Sequence, residues 1–372
     1  MKRIDFSDLK TLVEINSWTQ NKKGVDANGK LMQSWLEELG MTAEIFRRER
    51  IGNHLLLSSP VVGNTPRLLL IGHLDTVFPP DTFEGFREDA EWVYGPGTCD
   101  MKGGNFVALS ALRNVFEQSG SITNIDFLLV SDEETGSDDS KLLTSKIASD
   151  YDACIDFEAA GEDHEVVNGR KGVATYCIEL KGVAAHAGNH YASGKNANLA
   201  AAKLLITLTA LTNLDLGSTV NVGLIEGGTS TNTISPYAKI MAEARFAEDG
   251  EQQRILEAIP ALIDQHGVEG VSATISGGLQ RNVMMPSRAQ AEFINTLADL
   301  LGYPLKTEQR GGVSDANVTA GAGVPTLDGF GPFGDGDHTE FERASKQSFV
   351  RRIDEVTKIV HHYNQHHGNQ HH

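Results

Sequence analysis

The chain has 372 residues, 40% of them hydrophobic and 22% charged, which is an ordinary composition for a globular protein. One hydrophobic core seldom extends over such a length, so two domains are expected. The 50 acidic residues outnumber the 32 lysines and arginines, and the net charge of −18 disfavours nucleic acid and anionic membranes as partners, because both need a basic surface.

The first third of the chain alternates helical and strand patterns. Apolar residues recur at helical spacing over residues 31–39 and again over 106–116, and each run is followed by a glycine that can end a helix, Gly40 and Gly120. The predicted strands are residues 51–58, 68–71 and 125–130. Because strands alternate with helices, we expect an α/β domain with a mostly parallel sheet and helices on both faces.

After Glu158 the pattern changes to an α+β order. Its predicted elements are a strand at 173–180, a helix at 196–214, strands at 219–225 and 238–247, a helix at 250–266 and a strand at 270–276. This β-α-β-β-α-β order is the split βαβ motif. A further helix opens at Met285-Pro286-Ser287, and residues 302–372 return to the α/β style. The small domain is therefore predicted to be inserted into a discontinuous larger one.

Hydropathy and cysteine content predict a protein of the reducing cytoplasm. No apolar run reaches the roughly 18 residues of a membrane span, and residues 1–15 lack the uninterrupted apolar stretch of a signal peptide. The three cysteines are too few and too scattered for a disulfide framework or a cysteine zinc site. We interpret four C-terminal histidines as part of a frayed tail: His366, His367, His371 and His372.

Acidic residues and histidines stand where three apolar runs end in polar turns. The residues that follow these runs are His73 and Asp75, then Glu133 and Glu134, then Glu158. Open α/β sheets hold their ligands at the carboxyl edge of the strands. These side chains are therefore predicted to converge on a metal site there.

Each of these motifs also has a purely structural explanation. Asp75 could cap a surface turn, or it could accept the second N–H of the His73 ring and fix its tautomer. Glu133 and Glu134 could open a helix, whose N-terminal dipole favours carboxylates. Alternatively they surround a cation, since adjacent buried carboxylates otherwise repel each other.

Two further candidates, Asp100 and His338, lie in glycine-rich loops. Glycines permit unusual backbone angles and a close approach, which suits one carboxylate that spans two ions. The Asp100 loop is not a phosphate loop, because it contains neither Gly-x-Gly-x-x-Gly nor Gly-Lys-Ser/Thr. Two histidines and three carboxylates, with one carboxylate to spare, are the residues that a two-metal hydrolase needs.

Eight segments resemble, in the same order, motifs of the M20 family of co-catalytic zinc peptidases, and the most similar branch is that of the glutamate carboxypeptidases. They are GHLDTVFP (72–79), GPGTCDMKGG (95–104), SDEETGS (131–137), FEAA (157–160), GVAAHAG (182–188), EGGTSTNTIS (226–235), GGVSDAN (311–317) and GPFGDGDHT (331–339). The resemblance implies a catalytic α/β domain with a mixed, mostly parallel sheet flanked by helices, formed by residues 1–171 and 283–372. It also implies an inserted ferredoxin-like lid and dimerisation domain at 172–282.

The resemblance implies two Zn²⁺ ions per subunit, for which Co²⁺ or Mn²⁺ could substitute. The implied ligands are His73 and Glu158 for one ion, Glu134 and His338 for the other, and Asp100 between them. A cis peptide would follow Asp100. Asp75 would orient His73, and Glu133 would serve as general base and acid.

Substrate contacts are implied for the inserted domain. His186 would reach the active site of the partner subunit in a homodimer. Asn232 and Arg281 would contact the carboxylate and backbone of the substrate, assisted by the loop of Gly311 and Gly312. The residues around Arg281 lack the proline-rich context common in the most similar branch, so specificity for glutamate does not follow from the resemblance.

The implied function is a di-zinc amide hydrolase that acts beside a free carboxylate, in the first place a carboxypeptidase that releases a C-terminal amino acid such as glutamate from a small peptide. The alternatives are a deacylase of N-acyl amino acids and a dipeptidase. A non-catalytic metal-binding scaffold is a remote alternative, because all five ligand positions and Glu133 are present.

Overall fold

The chain is organised as two compact units in a computed structural model that describes residues 4–364. The first unit contains the described residues up to Gly169, Pro286–Arg310 and the described residues from Ser314 onward; the second contains Arg170–Met285 and Gly311–Val313. The sequence-based boundaries had placed Gly311–Val313 in the larger domain. The four C-terminal histidines lie outside the described residues.

A six-stranded sheet forms the centre of the first unit. In spatial order its strands are β1 (Thr42–Phe46), β2 (His54–Ser58), β6 (Ile125–Val130), β3 (Leu68–His73), β7 (Ala153–Asp156) and β14 (Thr326–Leu327). Strands β6, β3, β7 and β14 are parallel, whereas β1 and β2 pair antiparallel at one side. The predicted mixed, mostly parallel α/β sheet is confirmed.

Both faces of this sheet are buried. In β3, Leu68 and Leu70 belong to one hydrophobic cluster, and Leu69 and Ile71 belong to another, because successive strand residues point to opposite faces. A strand that is buried on both faces reads as a continuous apolar run. That is why β3 and β6 could be recognised in the sequence.

Helices supply further members of both clusters. Those of the first unit are α1 (Ser7–Val13), α2 (Lys22–Glu37), α3 (Lys102–Ser119), α4 (Lys141–Ala148), α7 (Arg288–Leu301), α8 (Ala316–Gly321) and α9 (Lys346–Tyr363). Helices α1, α2, α3, α7 and α9 contribute to the larger cluster, and α4 to the smaller one. Among residues 4–364, no helix is both long enough and apolar enough to span a bilayer.

Two predicted boundaries in the first unit were wrong. Helix α2 begins at Lys22 rather than near residue 31, because its first half buries small or polar residues such as Gly24, Asn28 and Gly29 that give no apolar signal. Strand β2 begins at His54 rather than at residue 51.

Short strands complete the first unit. One small sheet consists of β15 (Gly334–Asp335), β16 (Arg343–Ser345), β5 (Trp92–Tyr94) and β4 (Arg87–Glu88), and another consists of β13 (Thr307–Arg310) and β8 (Val166–Arg170).

The second unit is built on a four-stranded antiparallel sheet. Its elements along the chain are β9 (Gly172–Lys181), α5 (Ala197–Thr209), β10 (Thr219–Gly227), β11 (Tyr237–Phe246), α6 (Asp249–Leu262) and β12 (Ser272–Arg281). The spatial strand order is β10-β11-β9-β12. Alternate residues of β9 and β11 form one core with both helices. The order of elements is the one predicted from the sequence, although α5 ends at Thr209 and not at residue 214.

A buried arginine of helix α9 forms an ion pair within the helix and also connects the helix to loops of the first unit. Arg352 is fully buried, and its Nη1 donates a 2.5 Å hydrogen bond to Glu355 Oε2. Its Nη2 donates to the backbone carbonyls of His164, Glu165 and Gly329 at 3.0, 3.1 and 3.0 Å. One guanidinium therefore satisfies four acceptors that water cannot reach easily.

Replacing Arg352 by Met is expected to lower the free energy of unfolding by about 3–5 kcal/mol, because the change leaves Glu355 buried with less compensation. Arg351→Met is the matched control: this side chain is 39% exposed and bonds the same carboxylate at 2.8 Å. Its expected cost is about 1 kcal/mol or less. Urea titration followed by tryptophan fluorescence reports on the first unit, because Trp18, Trp35 and Trp92 all lie in it. Equal losses in the two variants would contradict the prediction.

Candidate metal centre

The predicted ligands from three strands meet at the carboxyl edge of the central sheet. His73 is the last residue of β3, Glu133 and Glu134 begin a 3-10 turn just after β6, and Glu158 follows β7. These three strands are parallel neighbours. Their carboxyl ends therefore coincide, and the side chains that follow them are brought together.

Asp100 lies between the two histidines of the site. Its Oδ1 is 3.1 Å from His73 Nε2, and its Oδ2 is 3.1 Å from His338 Nε2. Glu158 Oε1 is 3.4 Å from His73 Nε2, and Glu134 Oε2 is 3.2 Å from His338 Nε2. The Asp100 carboxylate thus presents one oxygen to each of two histidine–glutamate pairs.

These separations fit the donor set of two tetrahedral ions. With metal–ligand bonds of about 2.0–2.2 Å, neighbouring donors of a tetrahedral ion lie about 3.3–3.6 Å apart. The donor atoms of His73, Asp100 and Glu134 lie within 4.8 Å of one another, as do those of His73, Glu133 and Glu158. Glu133 Oε2 is the more distant neighbour of His73 Nε2, at 4.0 Å. Imidazole and carboxylate donors suit Zn²⁺, Co²⁺ and Mn²⁺.

Crowding of buried carboxylates raises several pKa values in this cluster. Burial, and then the charge of Asp100, raises the pKa of Glu134 to about 8 and that of Glu158 to about 7. Burial also raises the pKa of Glu133 well above its usual range. For Asp100, hydrogen bonds from His338 and His73 outweigh burial and lower its pKa. A cluster with this many competing carboxylates is stabilised by cations or by protons.

The two histidines share Asp100 as a partner, and each has further carboxylates of its own. Hydrogen bonds with Asp100 and Glu134 raise the pKa of His338 to about 11. Burial disfavours the charged form of His73, but hydrogen bonds with Asp100, Asp75 and Glu158 outweigh burial and raise its pKa. The His338 side chain remains 55% exposed, whereas that of His73 is buried.

Asp75 orients His73 in a different way from the one predicted. The His73 Nδ1 donates to the backbone carbonyl of Asp75 at 2.9 Å, and the Asp75 carboxylate is farther away, at 3.4 Å. That carboxylate also accepts the Thr19 hydroxyl at 2.7 Å and the backbone N–H groups of Glu133 and Glu134 at 3.3 Å. Asp75 therefore links the ring of His73 to the turn that carries both glutamates.

The sequence reasoning missed Glu342, which shapes the Asp100 loop. Its buried carboxylate accepts the backbone N–H groups of Gly97, Cys99 and Asp100, each at 3.0 Å. Burial raises the pKa of Glu342 to about 7. The Asp100–Met101 peptide is cis, as the family resemblance implied. Glu342 follows no apolar run, and its position four residues after His338 is the only signal in the sequence.

His186 and Asn232 lie side by side in the second unit. The Ala187 N–H donates to the Asn232 carbonyl at 2.8 Å, and His186 forms a bridge with Thr233. The His186 Nδ1 accepts the backbone N–H groups of Gly188 and Asn189 at 3.2 and 3.1 Å. Its proton is therefore on Nε2, which makes Nε2 a donor. The His186 ring itself is exposed.

The other predicted substrate residues also belong to the second unit. Arg281 is the last residue of β12 and is buried. The carbonyl of Gly311 accepts Arg245 Nη1 at 2.8 Å, and that of Gly312 accepts Arg170 Nη1 at 2.9 Å. Two arginines thus fix the loop of Gly311 and Gly312 by its carbonyl groups.

Comparison with known proteins places the chain in a family. Residues 69–362 match the family model described as peptidase family M20/M25/M40. Carboxypeptidase G2 from Pseudomonas sp. (strain RS-16) is 28% identical over 358 residues, which cover 89% of this chain and 82% of that protein.

Two solved structures show a similar fold. A tripeptidase from Staphylococcus aureus has a TM-score of 0.80 at 22% identity, with 97% of this chain and 98% of that chain covered. A Bacillus subtilis protein described as a dinuclear metal binding peptidase from the M20 family has a TM-score of 0.69 at 14% identity, with 95% and 96% covered. Because the family model extends over most of the sequence, the chain belongs to peptidase family M20/M25/M40 and is an M20-type metallopeptidase.

Proposed function

We propose that the chain is a two-metal carboxypeptidase, which hydrolyses the amide bond beside the C-terminal carboxylate of a small peptide. The observation that carries the proposal is the position of Asp100, whose two oxygens each lie 3.1 Å from a different histidine. The similarity to carboxypeptidase G2 supports release of a C-terminal amino acid such as glutamate.

The proposed centre holds two Zn²⁺ ions per subunit. His73 with Glu158 would hold one ion, His338 with Glu134 the other, and Asp100 would be shared. The dinuclear relative supports two ions. When bound, such ions polarise a scissile carbonyl and acidify water.

Glu133 is the proposed general base and acid. It lies beside the ligand Glu134, but at 4.0 Å it is farther from His73 than Asp100 or Glu158. Burial raises the pKa of the Glu133 carboxyl well above its usual range, and a general base needs a higher pKa than an exposed carboxylate has. Glu133 would take a proton from the attacking water and return it to the leaving amine.

The proposed substrate contacts come from the second unit. The planar guanidinium of Arg281 would bind the free carboxylate of the substrate. Asn232, Gly311 and Gly312 would contact its backbone. The Nε2–H of His186 would stabilise the negative charge that develops on the carbonyl oxygen, and the hydrogen bonds that fix its Nδ1 as an acceptor support this role.

We further propose that the chain forms a homodimer through the second unit. Strand β10 lies at one end of its sheet. Leu224 and Ile225 on this strand and Ile206 on α5 are exposed, at 59, 47 and 68%. An uncovered strand edge with apolar side chains is a typical pairing surface.

A matched substrate panel tests the proposed reaction. The zinc-loaded protein is given a dipeptide ending in glutamate, the same dipeptide with a C-terminal carboxamide, an N-acyl glutamate and an amino-acid anilide. Loss of a charge-assisted contact should reduce kcat/KM for the carboxamide about 10- to 100-fold. Equal cleavage of the carboxamide and the free acid would contradict the proposal. Preference for the N-acyl amino acid would instead indicate the deacylase.

A further inference from the structure

Strand β2 begins with a fully buried histidine, His54, that lies outside the metal centre. Its Nδ1 is 3.1 Å from the backbone nitrogen of Ser131, and its Nε2 is 2.9 Å from Asp139 Oδ1. Ser131 is the first residue after β6, and Asp139 lies beyond Glu133 and Glu134. One imidazole ring thus contacts both ends of the turn that carries the two glutamates.

The hydrogen bonds define which tautomer His54 adopts. A backbone N–H can only donate, so Nδ1 must accept the Ser131 N–H and the proton of the ring must be on Nε2. Burial opposes ionisation of Asp139, but hydrogen bonds from Arg48 and His54 outweigh it and lower the pKa of this carboxyl. Asp139 is therefore a charged acceptor that selects the tautomer able to receive the Ser131 N–H.

Other hydrogen bonds close the turn onto itself or connect its first residue to the segment before β2. Asp132 Oδ2 accepts the N–H groups of Asp139 and Ser140 at 2.9 and 3.2 Å, and the Ser131 hydroxyl donates to the Asn53 carbonyl at 2.7 Å. By contrast, the bonds from Glu133 and Glu134 to Asp75 are longer, at 3.3 Å. His54 and its neighbour Asn53 thus provide the short connections between this turn and β2.

We propose that His54 is a positioning residue, which holds the segment 131–139 so that Glu133 faces the reacting amide and Glu134 faces its ion. The catalytic consequence rests on the proposed function, whereas the hydrogen bonds do not. His54 acts through Ser131 and does not bond a proposed ligand directly. In metal enzymes the loss of a hydrogen bond to a ligand itself costs about 10- to 100-fold in activity or metal affinity, which sets the scale expected here.

Two substitutions separate hydrogen bonding from packing. In His54→Asn the amide oxygen can occupy the place of Nδ1 and accept the Ser131 N–H, although the ring volume is lost. In His54→Leu the volume is kept but the acceptor is removed. At saturating Zn²⁺ we expect kcat to fall about 10- to 100-fold in His54→Leu, with KM changed less than about threefold. His54→Asn should retain most of the activity. If His54 served only in packing, His54→Leu would be more active than His54→Asn.

Hydrogen–deuterium exchange tests the same inference without measuring enzymatic activity. Peptides from residues 131–140 of the zinc-loaded protein should exchange faster in His54→Leu than in His54→Asn or the unaltered chain. Strand β9 in the second unit should exchange at the same rate in all three and serves as the control for folding. If the unaltered chain hydrolyses nothing, the proposed function fails, and the exchange rates still decide the role of His54. Equal exchange in the two variants, or a leucine variant as active as the asparagine variant, would overturn the inference.

Discussion

Glu133→Gln is expected to lower kcat by about 10³-fold, within the range that a positioned general base contributes. The amide has the same shape as the carboxylate but cannot accept a proton from water. Glu133 lies outside the five proposed ligands, so the metal content of this variant should equal that of the unaltered chain. Steady-state kinetics on the dipeptide ending in glutamate and elemental analysis of the same sample give both values.

The neighbouring residues provide controls for Glu133. Glu134→Gln should lose metal, because Glu134 Oε2 lies 3.2 Å from His338 Nε2 within a proposed ligand pair. The exposed Glu162→Gln should leave both turnover and metal content unchanged. If Glu133→Gln kept more than about a tenth of the turnover, another group would have to move the proton.

Asp100→Asn is expected to reduce the affinity for both ions, by about 10- to 100-fold or more, since mutation of even a supporting group has an effect of that size. The reason is geometric: one carboxylate supplies an oxygen to each histidine–glutamate pair. An asparagine side chain offers a single neutral oxygen. Elemental analysis after dialysis should find that the total metal content falls below one ion per chain.

The control for this variant is Asp337→Asn, which changes an exposed carboxylate next to His338. It should retain the metal content of the unaltered chain. Two tightly held ions in Asp100→Asn would contradict the shared role of Asp100. Loss of a single ion would show that Asp100 serves only one of the two pairs.

The parts of the site that could be recognised most easily in the sequence are those in which a polar side chain stands at the end of a buried strand. His73 is the last residue of a strand that is buried on both faces, and Glu133, Glu134 and Glu158 lie just after two other such strands. Such a strand is a continuous apolar run, and a polar side chain at its end is conspicuous. The fold class and these four candidates could therefore be proposed from the residues. Asp100 and His338 were given roles as metal ligands only through the resemblance to the family, whose motifs occur here in the same order.

Other features left no local trace. Glu342 binds the N–H of Asp100 across 242 positions of the chain, and His54 receives the Ser131 N–H across 77. Neither residue follows an apolar run, and the only local signal for Glu342 is its position four residues after His338. The first half of α2 was missed because small residues such as Gly24 and Gly29 pack there without an apolar pattern.

The amino-acid sequence by itself determined which side chains are available and at which end of each strand they stand, because an apolar run and the polar turn that follows it are local features of the sequence. Only the tertiary structure decided that Asp100 divides its two oxygens between His73 and His338, and that the carbonyl of Asp75 orients the ring of His73. Distances of this kind depend on the packing of segments remote in sequence, which no short motif encodes.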